Sequence, residues 1–239
     1  MRKCFDVLRT DADTKKTYRQ KILYDKLEEN DTVATALRRI NEESDLLDID
    51  GNPVKEIIWE CSCLQKKCGA CAMRIDGKPA LACSVKLSEK KETIVLEPLK
   101  KFPVVADLKV DRRVLYEYLE QMGVWLENRA EDMDSEQDFV YESSRCLQCG
   151  CCLEICPNYY AGGDFTGMAA MVPNARVMAG ADVDQRDSMK KKYRRRIYEG
   201  CGKSLACRDI CPAGIDMEHL LTRSNAMMIW KLFNRKKSE

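Results

Sequence analysis

The chain has 239 residues, with 40 Lys and Arg against 39 Asp and Glu, a formal net charge of +1. That length suffices for two domains, and the charge balance gives no global field to draw nucleic acid. Fourteen Cys stand against a single His, His219, which excludes a Cys2His2 zinc site and a two-His Rieske centre. No stretch approaches the roughly 18 apolar residues of a membrane helix. The start, Met1-Arg-Lys-Cys-Phe, reads as neither an apolar signal region nor an Arg/Ser-rich leader. The expectation is a chain kept in the cytoplasm, where thiols stay reduced and Cys serve as metal ligands rather than disulfides.

In chain order, residues 3–9 and 17–27 are candidate strands, with Cys4, Phe5, Val7 and Leu8 in the first and Tyr18, Ile22, Leu23 and Tyr24 in the second. Asp31 is the expected cap of a helix over 32–43, with Val33, Ala36, Leu37 and Ile40 on one face. Residues 57–60 read as a short strand. Runs at 72–75 and 80–85 flank Asp76-Gly77, a strong hairpin-turn dipeptide. Residues 93–96 form another β-rich run. A boundary is expected at 98–103, giving domains over 1–103 and 104–239. Beyond it Val104, Leu108, Leu115, Leu119 and Met122 recur at helical spacing, and Gly123 is the expected stop. An acidic stretch covers 127–138 and a basic run covers 190–196. The tail over 216–231 reads as helical.

Three cysteine runs carry the chemistry. Cys63, Cys68 and Cys71 form C-x4-C-x2-C, and Cys83 follows after the Asp76-Gly77 hairpin; this is the plant-type [2Fe–2S] spacing. Gly69 and Ala70 let backbone N–H groups approach the sulfides. Cys146, Cys149, Cys152 and Cys156-Pro157 then form C-x2-C-x2-C-x3-C-P, the bacterial ferredoxin run. A second such run has Cys201, Cys207 and Cys211-Pro212, but Ser204 stands where a Cys is expected. In paired runs the fourth Cys serves the other cluster. Cys146, Cys149, Cys152 and Cys211 therefore make a four-thiolate set for [4Fe–4S]. Cys156, Cys201 and Cys207 make a three-thiolate set, which favours [3Fe–4S] over a serine-ligated [4Fe–4S].

The bland alternatives are an all-Cys zinc site or packed free thiols. Cys4, Cys61 and Cys151 fit no ligand position and read as free thiols. The basic run reads as a solvated face, with docking to a partner or to anionic lipid as its functional alternative. Tyr159 and Tyr160 read as core or interface aromatics, His219 as a helix-surface residue, and Trp59, Trp125 and Trp230 as packing residues. No dinucleotide Gly fingerprint or nucleophile constellation accompanies the cysteines. The chain reads as an electron wire whose two-electron cofactor sits in another protein.

The order of these runs, their spacing and the missing ligand at Ser204 resemble the iron–sulfur subunit of succinate dehydrogenase and fumarate reductase over about residues 3–225. The resemblance implies an α+β chain, a β-grasp plant-type ferredoxin domain followed by an all-α bacterial-type ferredoxin domain. It implies an FAD-bearing flavoprotein partner and quinone held with a cytochrome b-type membrane anchor, this chain lying peripherally on the cytoplasmic side. Ubiquinone-linked members often carry Trp after the first C-P and His after the first Cys of the second run. Tyr160 and Gly202 stand at those places here, which points to the menaquinone-linked branch, where quinone and haem can sit in the anchor. The alternative is the iron–sulfur subunit of a soluble fumarate or heterodisulfide reductase with a thiol donor.

Overall fold

The computed structural model describes residues 1–11, 13–130 and 136–230, and the chain divides into two compact units, Met1–Arg112 and Arg113–Glu239.

The first unit is built on a five-stranded mixed sheet of order β2-β1-β5-β3-β4. β1 (Lys3–Thr10) and β2 (Thr17–Tyr24) form an antiparallel hairpin from Lys3↔Tyr24 to Thr10↔Thr17. β5 (Thr93–Glu97) runs parallel to β1. β3 (Ala72–Ile75) is antiparallel to both β5 and β4 (Lys78–Leu81). Parallel neighbours need a long crossover, and everything between β2 and β5 supplies it, including α1 (Val33–Glu42). Phe5 and Val7, two residues apart on β1, are fully buried, as period-two alternation requires. Val33, Ala34, Ala36, Leu37 and Ile40 make the buried face of α1. The turn at Asp76 and Gly77 has positive φ at both positions, 51° and 80°, the type I′ geometry for which this dipeptide is suited.

Four expectations change here. Thr32, not Asp31, caps α1, its side chain accepting from the Thr35 amide at 3.2 Å; Asp31 instead accepts from Arg39 at 2.6 Å and from the Glu28 amide at 2.7 Å. Residues 57–60 are not a strand. The Asn41 side chain takes the Ile57 amide and the Asp107 carboxylate takes the Ile58 amide, so side chains replace a ladder. β4 ends at Leu81, and residues 82–84 turn into a 3-10 segment that carries Cys83. Val104 and Leu108 are not helical: β6 (Val104–Ala106) and β7 (Lys109–Val110) form a small hairpin. The first helix past the expected boundary starts only at Arg113.

The second unit is helical. α2 (Arg113–Met122) stops at Gly123, whose φ is +67°. The Gly123 amide bonds Glu120 O and the Val124 amide bonds Leu119 O, the paired bonds of a Schellman stop. α3 (Gln137–Ser144) and the short α4 (Cys151–Ile155) follow. α5 (Gly167–Gly180) is buried on nearly every side, as a helix apolar all round must be, and the other helices gather about it. Pro173 lies in its interior. α6 (Val183–Tyr193) runs into a π-helical turn over Arg194–Tyr198. The buried Tyr193 hydroxyl donates to Asn225 Oδ1 of α7 (Met217–Met228) at 2.9 Å. Tyr159 is buried, while Tyr160 is 68% exposed. Trp125 and Trp230 are 52% and 40% exposed, so each packs over only part of its surface. His219 sits exposed on α7, and its amide is capped by Asp216. Of the acidic stretch over 127–138, residues 131–135 lie outside the described residues, as does position 231 of the expected tail helix.

Candidate metal centres

The loop before β3 is shaped by three left-handed residues, Leu64, Lys66 and Gly69, with φ of 53°, 59° and 75°. Interleaving left- and right-handed residues turns successive amides to one side, a concavity that favours anionic groups. Here the amides meet sulfur. Gln65 and Lys67 donate to Cys63 Sγ, and Lys66 donates to Cys83 Sγ, each at 3.3 Å. Those bonds hold the Cys63 thiol down to about 7. Cys71 Sγ lies 3.4 Å from Cys83 Sγ, and burial pushes Cys71 up to about 12. Cys68 is exposed on the same loop, and so is Cys61. The 71-to-83 approach follows from the β3–β4 hairpin, which returns the Ala82 amide to Cys71 O at 3.0 Å.

Arg112 braces this loop, and nothing in the local sequence announces it. It donates to the carbonyls of Gly69 at 2.9 Å and Ala70 at 2.8 Å and pairs with Glu60.

In the helical unit the two distant cysteine runs are tied together at their ends. Glu142 accepts the Asp216 amide at 2.8 Å, and Arg145 donates to Ala213 O; together they draw Cys211 back to the first run. Asn158 Nδ2 donates to Gly200 O at 2.8 Å and the Thr166 backbone amide bonds Arg196 O at 2.9 Å, which brings Cys201 beside Cys156. Two cavities result. One, of about 330 Å³, is lined by Cys146, Cys149, Cys152 and Cys211 with Gln148, Ala169 and Ile215. The other, of about 390 Å³, is lined by Cys156, Cys201 and Cys207, with Cys152, Ser204 and Leu221. Ser204 Oγ accepts weakly from the Ala206 amide at 3.5 Å. Cys151 is fully buried and lines neither cavity.

The donor chemistry fits iron. Burial pushes Cys146 and Cys207 each up to about 11, and Cys152 well above its ordinary value, with neighbouring cysteines adding repulsion. Thiolates crowded this way are stable only around cationic metal, and soft sulfur sets select iron–sulfur clusters or zinc. Among the described residues no three Cys, His, Asp or Glu side chains converge on one ion position; the thiols ring a space instead of a point.

A β-sheet unit with a sulfur-binding loop, followed by a helical unit with two thiol-lined cavities, defines a two-domain iron–sulfur electron-transfer protein. A family model described as a 2Fe-2S iron-sulfur cluster binding domain matches residues 4–117, and one described as a 4Fe-4S dicluster domain matches 142–215. The succinate dehydrogenase iron-sulfur subunit of Bacillus subtilis is 33% identical over 199 residues, covering 74% of this chain and 77% of that one. The fumarate reductase iron-sulfur subunit of Wolinella succinogenes is 27% identical over 192 residues, covering 73% and 78%. The fold resembles a chain of the Mycobacterium smegmatis Sdh1 complex in the apo form, with TM-score 0.67 and 19% identity over 94% of this chain and 95% of that one. The chain belongs to the family of succinate dehydrogenase/fumarate reductase iron–sulfur subunits, and it carries the family's iron–sulfur clusters. Among the described residues no helix is long and apolar enough to cross a membrane.

Proposed function

We propose that this chain relays electrons between the FAD of a flavoprotein subunit and a quinone held at a cytochrome b-type membrane anchor, lying peripherally on the cytoplasmic side. Cys63, Cys68, Cys71 and Cys83 hold [2Fe–2S]. Cys146, Cys149, Cys152 and Cys211 hold [4Fe–4S], and Cys156, Cys201 and Cys207 hold [3Fe–4S]. These clusters supply one-electron transfer at potentials set by ligation, charge and hydrogen bonds to sulfur. The residues do the rest: they gather the thiolates around the two helical cavities and aim amide donors at sulfur in the loop. The observation that carries the reading is the separation of the helical unit's ligands into two adjoining cavities with Cys152 bordering both.

Menaquinone is the preferred quinone in this reading. A Cβ at Gly202 would lie 2.7 Å from Asn158 Nδ2, the movable end of a side chain, so a larger residue fits there once Asn158 turns aside. Gly202→His, which installs the ubiquinone-linked residue, must displace Asn158 from Gly200 O.

The test is anaerobic purification together with the flavoprotein and membrane partners, followed by EPR and iron and sulfide analysis. The expected result is three distinct centres, with a three-iron signal in the oxidised protein that Ser204→Cys converts to a [4Fe–4S] signal. Zinc without iron overturns the reading. The thiol-donor alternative predicts a complex that purifies without detergent and reduces fumarate with a thiol but not a quinol.

A further inference from the structure

The helical unit contains a hydrogen-bond relay that none of the cysteine spacings requires. Pro173 has no backbone N–H, so the carbonyl four residues earlier in α5, Ala169, loses its helical donor. That carbonyl accepts from Gln148 Nε2 at 2.8 Å. The same Nε2 lies 3.1 Å from Cys146 Sγ. Gln148 stands in the left-handed region, φ 49°, an uncommon conformation for a residue with a side chain, and both it and Ala169 line the cavity of Cys146. The orientation of its amide is settled by Ala169: turning the amide over would set Oε1 against a carbonyl, which offers no hydrogen. Gln148 Oε1 is itself buried with no partner, so the contacts that hold the side chain are those of its nitrogen.

We infer that Gln148 is a potential-setting residue: its amide, anchored on the carbonyl that Pro173 leaves free, donates to Cys146 and raises the reduction potential of the centre in that cavity. This deepens the proposed function and rests on the assignment of [4Fe–4S] to Cys146, Cys149, Cys152 and Cys211. The physical ground is that reduction adds negative charge to the cluster and its thiolates, and a donor aimed at sulfur stabilises the reduced form more than the oxidised one. Burial strengthens the effect by lowering the local dielectric.

The experiment is an EPR-monitored redox titration of the full-length, cluster-loaded protein, with the [2Fe–2S] and three-iron centres of the same sample as internal references. Gln148→Leu removes the donor, and Gln148→Glu replaces it with an acceptor of the same shape. Pro173→Ala restores a helical N–H that competes for Ala169 O. The expected result for Gln148→Leu is a roughly tenfold fall in the reduced-to-oxidised ratio of the [4Fe–4S] centre at fixed potential, about 59 mV for one electron. Gln148→Glu falls further, Pro173→Ala falls less, and the two references stay in place. Should Gln148→Leu fail to load, the isosteric Gln148→Glu decides alone. A loaded Gln148→Glu protein whose [4Fe–4S] potential matches the parent overturns the inference. The cluster assignment fails separately, by a parent protein with no [4Fe–4S] signal or by a Cys146→Ala variant that keeps it intact.

Discussion

At the scale of single residues, position relative to backbone amides separates the sulfur proposed as a ligand from its neighbour. Cys61 and Cys63 differ by two places. Cys63 accepts two amide hydrogen bonds at 3.3 Å, while Cys61 is exposed ahead of the amide-rich turn. Cys63→Ala is expected to abolish the [2Fe–2S] EPR signal and Cys61→Ala to leave it intact. The reverse pattern would show that the wrong thiol carries iron. Arg112 offers a second residue-scale test. Because its guanidinium holds two loop carbonyls, Arg112→Leu should shorten the lifetime of the [2Fe–2S] centre under chelator challenge several-fold, with Arg112→Lys restoring only part, since a point charge cannot reproduce the fork. Asp107 is the buried counterpart: it pairs with Arg9 at 2.9 Å and accepts the amides of Thr10 and Ile58. Asp107→Ala strands the Arg9 charge in the core and is expected to cost about 3–5 kcal/mol in denaturant unfolding of the loaded protein.

At the scale of elements, ends and interruptions matter more than propensity. The Thr32 cap satisfies one of the orphan amides of α1. Thr32→Ala should therefore lower stability by about 1 kcal/mol, seen as a shifted denaturation midpoint with unchanged slope, whereas Asp31→Ala should act through the loss of its Arg39 and Glu28 bonds instead. α5 shows the opposite device. A proline in mid-helix ordinarily weakens a helix, yet here the freed carbonyl is satisfied by Gln148 and the helix stays buried. The hairpin of β3 and β4 matters for its two-residue turn, which sets the register Ala72↔Leu81 and so delivers Cys83 back to Cys71.

On the scale of the whole molecule, the two units are expected to depend on iron to different degrees. The first has a sheet and helix core of fully buried apolar residues such as Phe5, Ile22, Leu37 and Ile94, and Cys63, Cys68, Cys71 and Cys83 lie outside its strands, on the loop before β3 and the 3-10 segment after β4. In the second, the thiols are contributed by both ends of the unit and line cavities between its segments. Removing iron leaves those buried thiols crowded with nothing to hold them. Hydrogen exchange of iron-stripped protein is expected to show lost protection at 146–156 and 201–211, while β1 and β5 stay protected. Equal loss in both units would contradict this view.

The cysteine spacings were legible because cluster geometry translates directly into sequence separations, and a hairpin dipeptide or a Gly helix stop acts within a few residues. The Asp76-Gly77 turn and the Gly123 stop are local in this sense, and so was the gap at Ser204; the sheet order is not, because β1 pairs with β5 from Cys4↔Thr93, and it was expected only through the family resemblance. The helix expected from Val104 failed because Leu108 and Val110 serve a short hairpin whose periodicity mimics a helix turn over so few residues. Arg112 and the relay from Pro173 through Ala169 and Gln148 to Cys146 left no trace in composition or period. Each joins groups more than twenty residues apart, and a hydrogen bond between distant segments exists only once the chain has closed around it. The amino-acid order thus determined which sulfurs are available and in what groups; folding alone decided which amides, carbonyls and guanidinium face them, because those partners are set by three-dimensional approach and not by separation along the chain.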